Sequence, residues 1–338
     1  MVLLPTTITC KMGLRLRRLR KKVRAWWREW RGFAGKGAII LCYHRVAHLP
    51  ESPRRLWVSP ERFAEHLDYL VRSCHPISLA DLVQGIQNGQ VPDKSVVVTF
   101  DDGYADNLWN AKPLLERYGV PATVFVTSGF VGQERVFYWD ELACLLLEAT
   151  DGFPETLCVT LPDGLKWCYP LTTWSQRLHA YHALHDRLRP LSQSERDQIL
   201  EQIRHQLGDL TEAQREKHRA LRPQELLELV QGGLVEVGAH TVHHPDLPCL
   251  PETAQRQEIS ESKRQLEALL DRPVRFFAYP YGSGNDQTRK LVQKAGFAAA
   301  CALFEGAVNN AANPFWLPRL FVENWDGDRF AAKLRELW

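Results

Sequence analysis

Apolar runs alternate along this chain with stretches whose apolar residues recur at helical spacing. The first run, "AIILCY" from Ala38 to Tyr43, predicts a strand. "VSPERFAEHLDYLVRS" follows, with Ser59 at an N-cap, Pro60 at the first helical position and apolar residues three and four apart. A second short helix, "SLADLVQGIQNG", ends at Gly89. Then come a strand from Val96 to Phe100, a helix near Asn107 to Tyr118 and a strand from Ala122 to Gly129. This alternation predicts βαβ units and parallel strands.

The rhythm breaks between about Gly132 and Arg222. "YWDELACLLLEA" reads as a helix, "LCVTLPDGLKWCYPL" as a hairpin around Pro162-Asp163-Gly164, and two polar helices follow. From Pro223 the alternation resumes: a helix, "LVEVGAH", a long helix from Thr253 to Leu270, "RFFAYP", a helix, "FAAACAL", "PRLFV" and a final helix to Trp338. The expectation is one α/β domain over residues 36–338, with a mostly helical insertion at about 132–222 and a separate segment 1–35 in front.

At 338 residues, 45% hydrophobic and 24% charged, the chain has the composition of a soluble globular protein. Its net charge of +2 hides an asymmetry, because Lys11 to Arg31 holds ten basic residues and Glu29, a balance of +9 that leaves −7 for the rest. Leu14, Leu16, Leu19, Val23, Trp26, Trp27 and Trp30 are interleaved with those charges. Such a segment either lies on an anionic membrane surface as an amphipathic helix or stays solvated. "MVLLPTTITC" is too short, and too early, for a signal peptide, and no run approaches the ~20 apolar residues of a membrane span. The eight cysteines include no CxxC pair, so reduced thiols in a cytoplasmic protein, at most peripheral to the inner face of the membrane through 11–31, are expected. No nucleic-acid partner is expected.

The candidate chemistry lies at strand ends. Parallel β/α sheets carry their functional groups at the C-terminal ends of strands. Here those ends hold His44, the pair Asp101-Asp102, His240 followed by "TVHHPDL", and Pro280-Tyr281-Gly282. Two adjacent carboxylates ending a buried strand are costly unless paired or bound to a metal. Asp102, His240 and His244 form a two-His, one-carboxylate set that can hold one divalent metal with positions left open. Asp101 beside it is placed to take a proton from water, whose pKa a metal lowers from about 15.7 to about 7. Spacing leaves His243 as a rival to His244.

"TFDDGY", Thr99 to Tyr104, resembles the first motif of the polysaccharide deacetylases with the NodB homology domain, carbohydrate esterase family 4, and "HTVHHP", His240 to Pro245, matches their second. The resemblance covers roughly Gly37 to Thr127 and Leu234 to Phe321. It implies a distorted (β/α) barrel of the NodB type, Asp101 as general base, Asp102, His240 and His244 as metal ligands, and an N-acetylated glycan as substrate. Zinc is the default for such a ligand set, and cobalt, nickel, manganese or iron also fit.

Two departures from the family pattern stand out. The third motif usually supplies an arginine that orients the base; Arg275 lies at the wrong end of "RFFAYPYG", and Arg319 in "LPRLFV" is the substitute. The final Leu-x-His motif is absent from the C-terminus, while "LCYH" ends the first strand, as in the circularly permuted branch of the family. There His44, partly cationic near neutral pH, is the acid that protonates the leaving amine. Tyr281 fits the place where the family's backbone N–H holds an oxyanion. Tyr104, Pro280, Tyr281, Arg319 and Trp325 complete the substrate side, with Trp325 and Trp139 able to stack on sugars. The implied activity is removal of N-acetyl groups from amino sugars. The alternatives are an O-acetyl esterase on the same scaffold and a non-catalytic, membrane-recruited glycan-binding protein, against which the intact Asp-Asp-His-His set argues.

Overall fold

The computed structural model describes residues 37–49, 52–148, 152–161 and 164–338. The basic segment 11–31 and the turn residues Pro162 and Asp163 lie outside them. Three two-residue strands (Arg45–Val46, Trp57–Val58 and His75–Pro76) apart, the strands are β1 (Ala38–Tyr43), β2 (Ser95–Phe100), β3 (Ala122–Val126), β4 (Thr156–Thr160), β5 (Lys166–Pro170), β6 (Val235–Ala239), β7 (Phe276–Ala278), β8 (Ala299–Cys301) and β9 (Leu320–Phe321). The helices are α1 (Pro60–Ser73), α2 (Leu79–Asn88), α3 (Lys112–Tyr118), α4 (Tyr138–Ala143), α5 (Trp174–Leu188), α6 (Gln193–Leu207), α7 (Glu212–His218), α8 (Pro223–Leu229), α9 (Glu252–Leu270), α10 (Asp286–Lys294) and α11 (Gly327–Leu337).

The parallel sheet runs in the order β8-β7-β6-β3-β2-β1-β9. Every residue of β1 and β2 is buried, which is why both read as unbroken apolar runs. The segment around β9 joins the two edges. Leu317 exchanges backbone hydrogen bonds with Ala300 and Ala302 on the β8 side, while Leu320 and Phe321 pair with Leu41 and Cys42 of β1. The sheet thus curls into a distorted (β/α) barrel in which the first strand lies beside the last. Local signals behave as expected: the Ser59 hydroxyl accepts the Arg62 N–H, and Gly89 closes α2 in the left-handed region. The predicted helix after β2 differs, beginning as a π turn over Asn107–Ala111 before α3.

Residues 130–220 build a core of their own, centred on Leu157, Tyr181, Leu184 and Ile199. That core also takes in Leu56 and Tyr104, which come from the loops after β1 and β2. The added helices are therefore seated on the C-terminal mouth of the barrel. A third helix, α7, follows the two that the periodicity shows.

The expectation of reduced thiols fails at one pair. Hairpin β4–β5 has a register that sets Cys158 opposite Cys168, and the two form a disulfide. Register is not visible in cysteine spacing. No described helix is long and apolar enough to cross a membrane.

Candidate metal centre and active site

Strand β2 delivers Asp101 and Asp102 to the barrel mouth, and the turn that follows is tight. Asp102 has φ 72° and Gly103 φ 80°. A Cβ on Gly103 would lie 3.1 Å from both Val126 methyl carbons and would be strained at this φ, which favours glycine there. Thr241, His244 and Tyr281 also have positive φ, at 64°, 54° and 58°. Non-glycine residues held in the left-handed region cost of order 1–3 kcal/mol each and cluster where geometry serves function.

The Nε2 atoms of His240 and His244 stand 3.6 and 3.4 Å from Asp102 Oδ1. Ligand atoms each about 2.1 Å from one cation sit roughly this far apart. His240 Nδ1 donates to the Ala278 carbonyl at 2.8 Å, so the Nε2 lone pair faces Asp102. Asp102 Oδ1 is buried and receives no hydrogen bond. Burial, with Asp101 and Asp140 nearby, pushes the Asp102 carboxyl well above its usual range. Burial likewise lowers the pKa of both imidazoles, keeping them neutral and ready to bind. A buried, unmatched carboxylate between two neutral imidazoles fits a divalent cation, and these three residues are the ones that would hold it. His243 is turned away: its ring and backbone N–H bind Glu258.

Asp101 is held by Arg319. Nη1 and Nη2 donate to its two oxygens at 2.6 and 2.7 Å, while Nε donates to the Ala302 carbonyl at 2.9 Å. Burial alone would raise the Asp101 carboxyl, but Arg319, together with His240 and His44 beside it, outweighs burial and holds the carboxyl well below its usual range. Arg275 instead pairs with Glu236 at the surface.

His44 ends β1 beside Asp101, with its ring against Phe321. Burial pushes it down to about 4, the neighbouring Asp101 notwithstanding. The expected partly cationic imidazole is therefore corrected to one that rests neutral. Tyr281 reaches the cavity, its ring edge-on to His244 and its hydroxyl 3.0 Å from that of Tyr138.

Three expected substrate residues do not line the catalytic cavity. Tyr104 is fully buried, donating to Asp140 at 2.6 Å and accepting from Trp139 at 2.9 Å, so it props the insertion instead of meeting a ligand. Pro280 is buried. Trp325 borders a separate hollow. The loop after β1 and the insertion supply three arginines that the motifs do not mark. Arg54 and Arg189 line the cavity, and Trp139 packs edge-on to His244. Arg196, 1% exposed, donates to the His244 carbonyl at 3.1 Å and so holds the histidine loop from α6. No sequence signal marks these arginines, because neither a loop nor a polar helix announces which surface it covers.

The comparisons with known proteins agree with this geometry. Residues 88–300 match the model of the polysaccharide deacetylase family. The poly-beta-1,6-N-acetyl-D-glucosamine N-deacetylase of Staphylococcus aureus is 21% identical over 312 residues, covering 86% of this chain and 83% of that one. Among solved structures, IcaB from Ammonifex degensii superimposes with a TM-score of 0.59 at 20% identity, covering 90% of this chain and 97% of that one. The Streptococcus pyogenes deacetylase PplD in complex with acetate gives 0.57 at 19% identity, covering 88% and 98%. These structures share the fold.

Proposed function

Since the chain belongs to the polysaccharide deacetylase family, we propose that it is a metal-dependent hydrolase that removes N-acetyl groups from the amino sugars of a glycan, with a polymer of N-acetylglucosamine as the first substrate to test. The observation that carries this is the division of labour at Asp101 and Asp102. One carboxylate is locked and ionised by Arg319; its neighbour is left unmatched between two imidazoles.

A divalent cation held by Asp102, His240 and His244, zinc by default, would acidify water and polarise the acetyl carbonyl. Asp101, already ionised and fixed in orientation, takes the proton of the attacking water. The water oxygen adds to the acetyl carbon, and the Tyr281 main-chain N–H is the group assigned to the resulting oxyanion. The C–N bond then breaks, and the amine leaves with a proton from His44. Because His44 rests neutral, it gains that proton within the turnover cycle, from its neighbour Asp101. Acetate and a free amine are the products. Co-release of both from N-acetylglucosamine oligomers tests this: acetate without a new amine indicates an O-acetyl esterase, and neither product indicates a binding protein.

Contact of residues 11–31 with an anionic bilayer is part of the same proposal, tested by co-sedimentation with phosphatidylserine vesicles. The Cys158–Cys168 disulfide favours an oxidising compartment over the cytoplasmic placement expected from sequence.

A further inference from the structure

The catalytic cavity encloses only about 120 Å³. That is well below the roughly 300–1,000 Å³ of a pocket that takes in a whole small ligand. It has room for an acetamido group and an edge of its sugar ring, so the rest of a glycan must lie outside. A second hollow, of about 540 Å³, is bordered by Trp57, Trp174, His182, Asn324 and Trp325.

Three chain segments border both hollows. In the loop after β1, Arg54 and Leu56 line the catalytic cavity, while Arg55 and Trp57 line the other. Phe321 of β9 lines the first, and residues 323–325 line the second. Helix α5 runs from one to the other. Trp174, Leu178 and His182 line the second hollow, His185 touches Arg54, and Arg189 at the end of the helix lines the catalytic cavity. These five positions fall four, four, three and four residues apart, which places them on one helical face. From Trp174 to Arg189 that face is about 22 Å long at 1.5 Å per residue.

We propose that this face of α5 and the tryptophan-lined hollow are glycan subsites that hold the sugar residues flanking the one whose acetyl group enters the cavity. Trp174 is 52% exposed at the start of α5, an aromatic surface that gains by being covered. The apolar face of a pyranose ring suits it, and Asn324 and His182 offer hydrogen bonds to hydroxyl and acetamido groups. Arg55 pairs with Glu323 and Arg329 lies over the Trp325 ring, leaving guanidinium N–H groups at the rim that can donate to sugar hydroxyl and acetamido oxygens. Binding energy gathered here is available to position the acetamido group in the small cavity. Only the choice of glycan rests on the deacetylase reading of the active site.

The test is calorimetric binding of β-1,6-linked N-acetylglucosamine disaccharide and hexasaccharide to the metal-loaded Asp101→Asn protein, in which turnover is blocked. The hexasaccharide binds at least about tenfold tighter than the disaccharide, and Trp174→Ala in the same background removes most of that gain. Trp109→Ala, which removes a tryptophan that is 56% exposed and borders neither hollow, keeps it. Equal affinities for the two oligomers, or a gain that survives Trp174→Ala, overturns the subsites. Should Asp101→Asn not fold, the same ratio is read from KM for acetate release by the otherwise unaltered protein and by Trp174→Ala. Trp174-dependent binding of the hexasaccharide without acetate release from the unaltered protein upholds the subsites and removes the deacetylase assignment instead.

Discussion

Arg319 and Asp101, 218 residues apart in the chain, meet fork to fork at 2.6 and 2.7 Å inside the barrel. Their meeting depends on β9 lying against β1, which brings the end of the chain to the end of β2. Neither residue alone marks a base. Together they make a carboxylate that stays ionised despite burial. Arg319→Lys keeps the charge and loses the fork. Turnover is expected to fall by about 10²-fold or more while metal content is unchanged, and kcat with elemental analysis decides it. A lysine variant that turns over normally would show that bidentate orientation is not needed.

Asp101→Asn is expected to keep its metal and lose about 10²–10⁴-fold in activity, the usual worth of a general base. Asp102→Asn should lose metal and activity together, because it removes the charge between the two imidazoles. Metal loss in Asp101→Asn combined with full occupancy in Asp102→Asn would reverse the two roles.

His240→Ala and His244→Ala are each expected to lower metal occupancy after dialysis, and His243→Ala to leave it near that of the unaltered protein. The contrast follows from ring direction: His243 binds Glu258, while the other two Nε2 atoms converge on Asp102. Loss of metal in His243→Ala alone would contradict the ligand set.

His44→Ala should slow an amide substrate strongly and an activated acetyl ester much less, since a good leaving group departs without a proton. Metal content should not change. Equal losses on the two substrates would indicate a positioning role.

Acid sensitivity has a definite sign at His66. It is fully buried, with Nδ1 facing the Tyr43 hydroxyl and Nε2 the Trp325 carbonyl, and burial pushes it down to about 4. The unfolded chain takes up a proton near pH 6.5 that the folded chain refuses. Stability from this group is therefore intact above about pH 6.5 and is lost as pH falls from there to about 4, at up to about 1.4 kcal/mol per pH unit. Urea midpoints measured across pH 7 to 4 should fall for the unaltered protein and less steeply for His66→Gln. Parallel slopes would place the acid sensitivity elsewhere.

Much of the site was legible because its signals are local. "TFDDGY" and "HTVHHP" each follow an apolar run that can only be a strand, so their carboxylates and imidazoles belong at strand ends. What required three dimensions was reach. Arg319 and Arg275 flank strands of similar pattern, and only barrel closure decides which one meets Asp101. Tyr104 ends the first motif, yet the turn at Asp102-Gly103 sends its ring back into the insertion core. Arg54, Arg189 and Arg196 arrive from the first loop and from the inserted helices, whose seating on the barrel mouth leaves no trace in their periodicity. The partner of Cys158 likewise depends on hairpin register.

The most direct measurement is the yield of acetate and of new primary amine from an N-acetylglucosamine hexasaccharide, followed together with metal content in the unaltered protein and in Asp101→Asn. Deacetylation at the Asp101–Asp102 centre gives acetate and amine in equal amounts from the unaltered protein, and neither from Asp101→Asn although its metal is retained. Undiminished release of both by Asp101→Asn would contradict it.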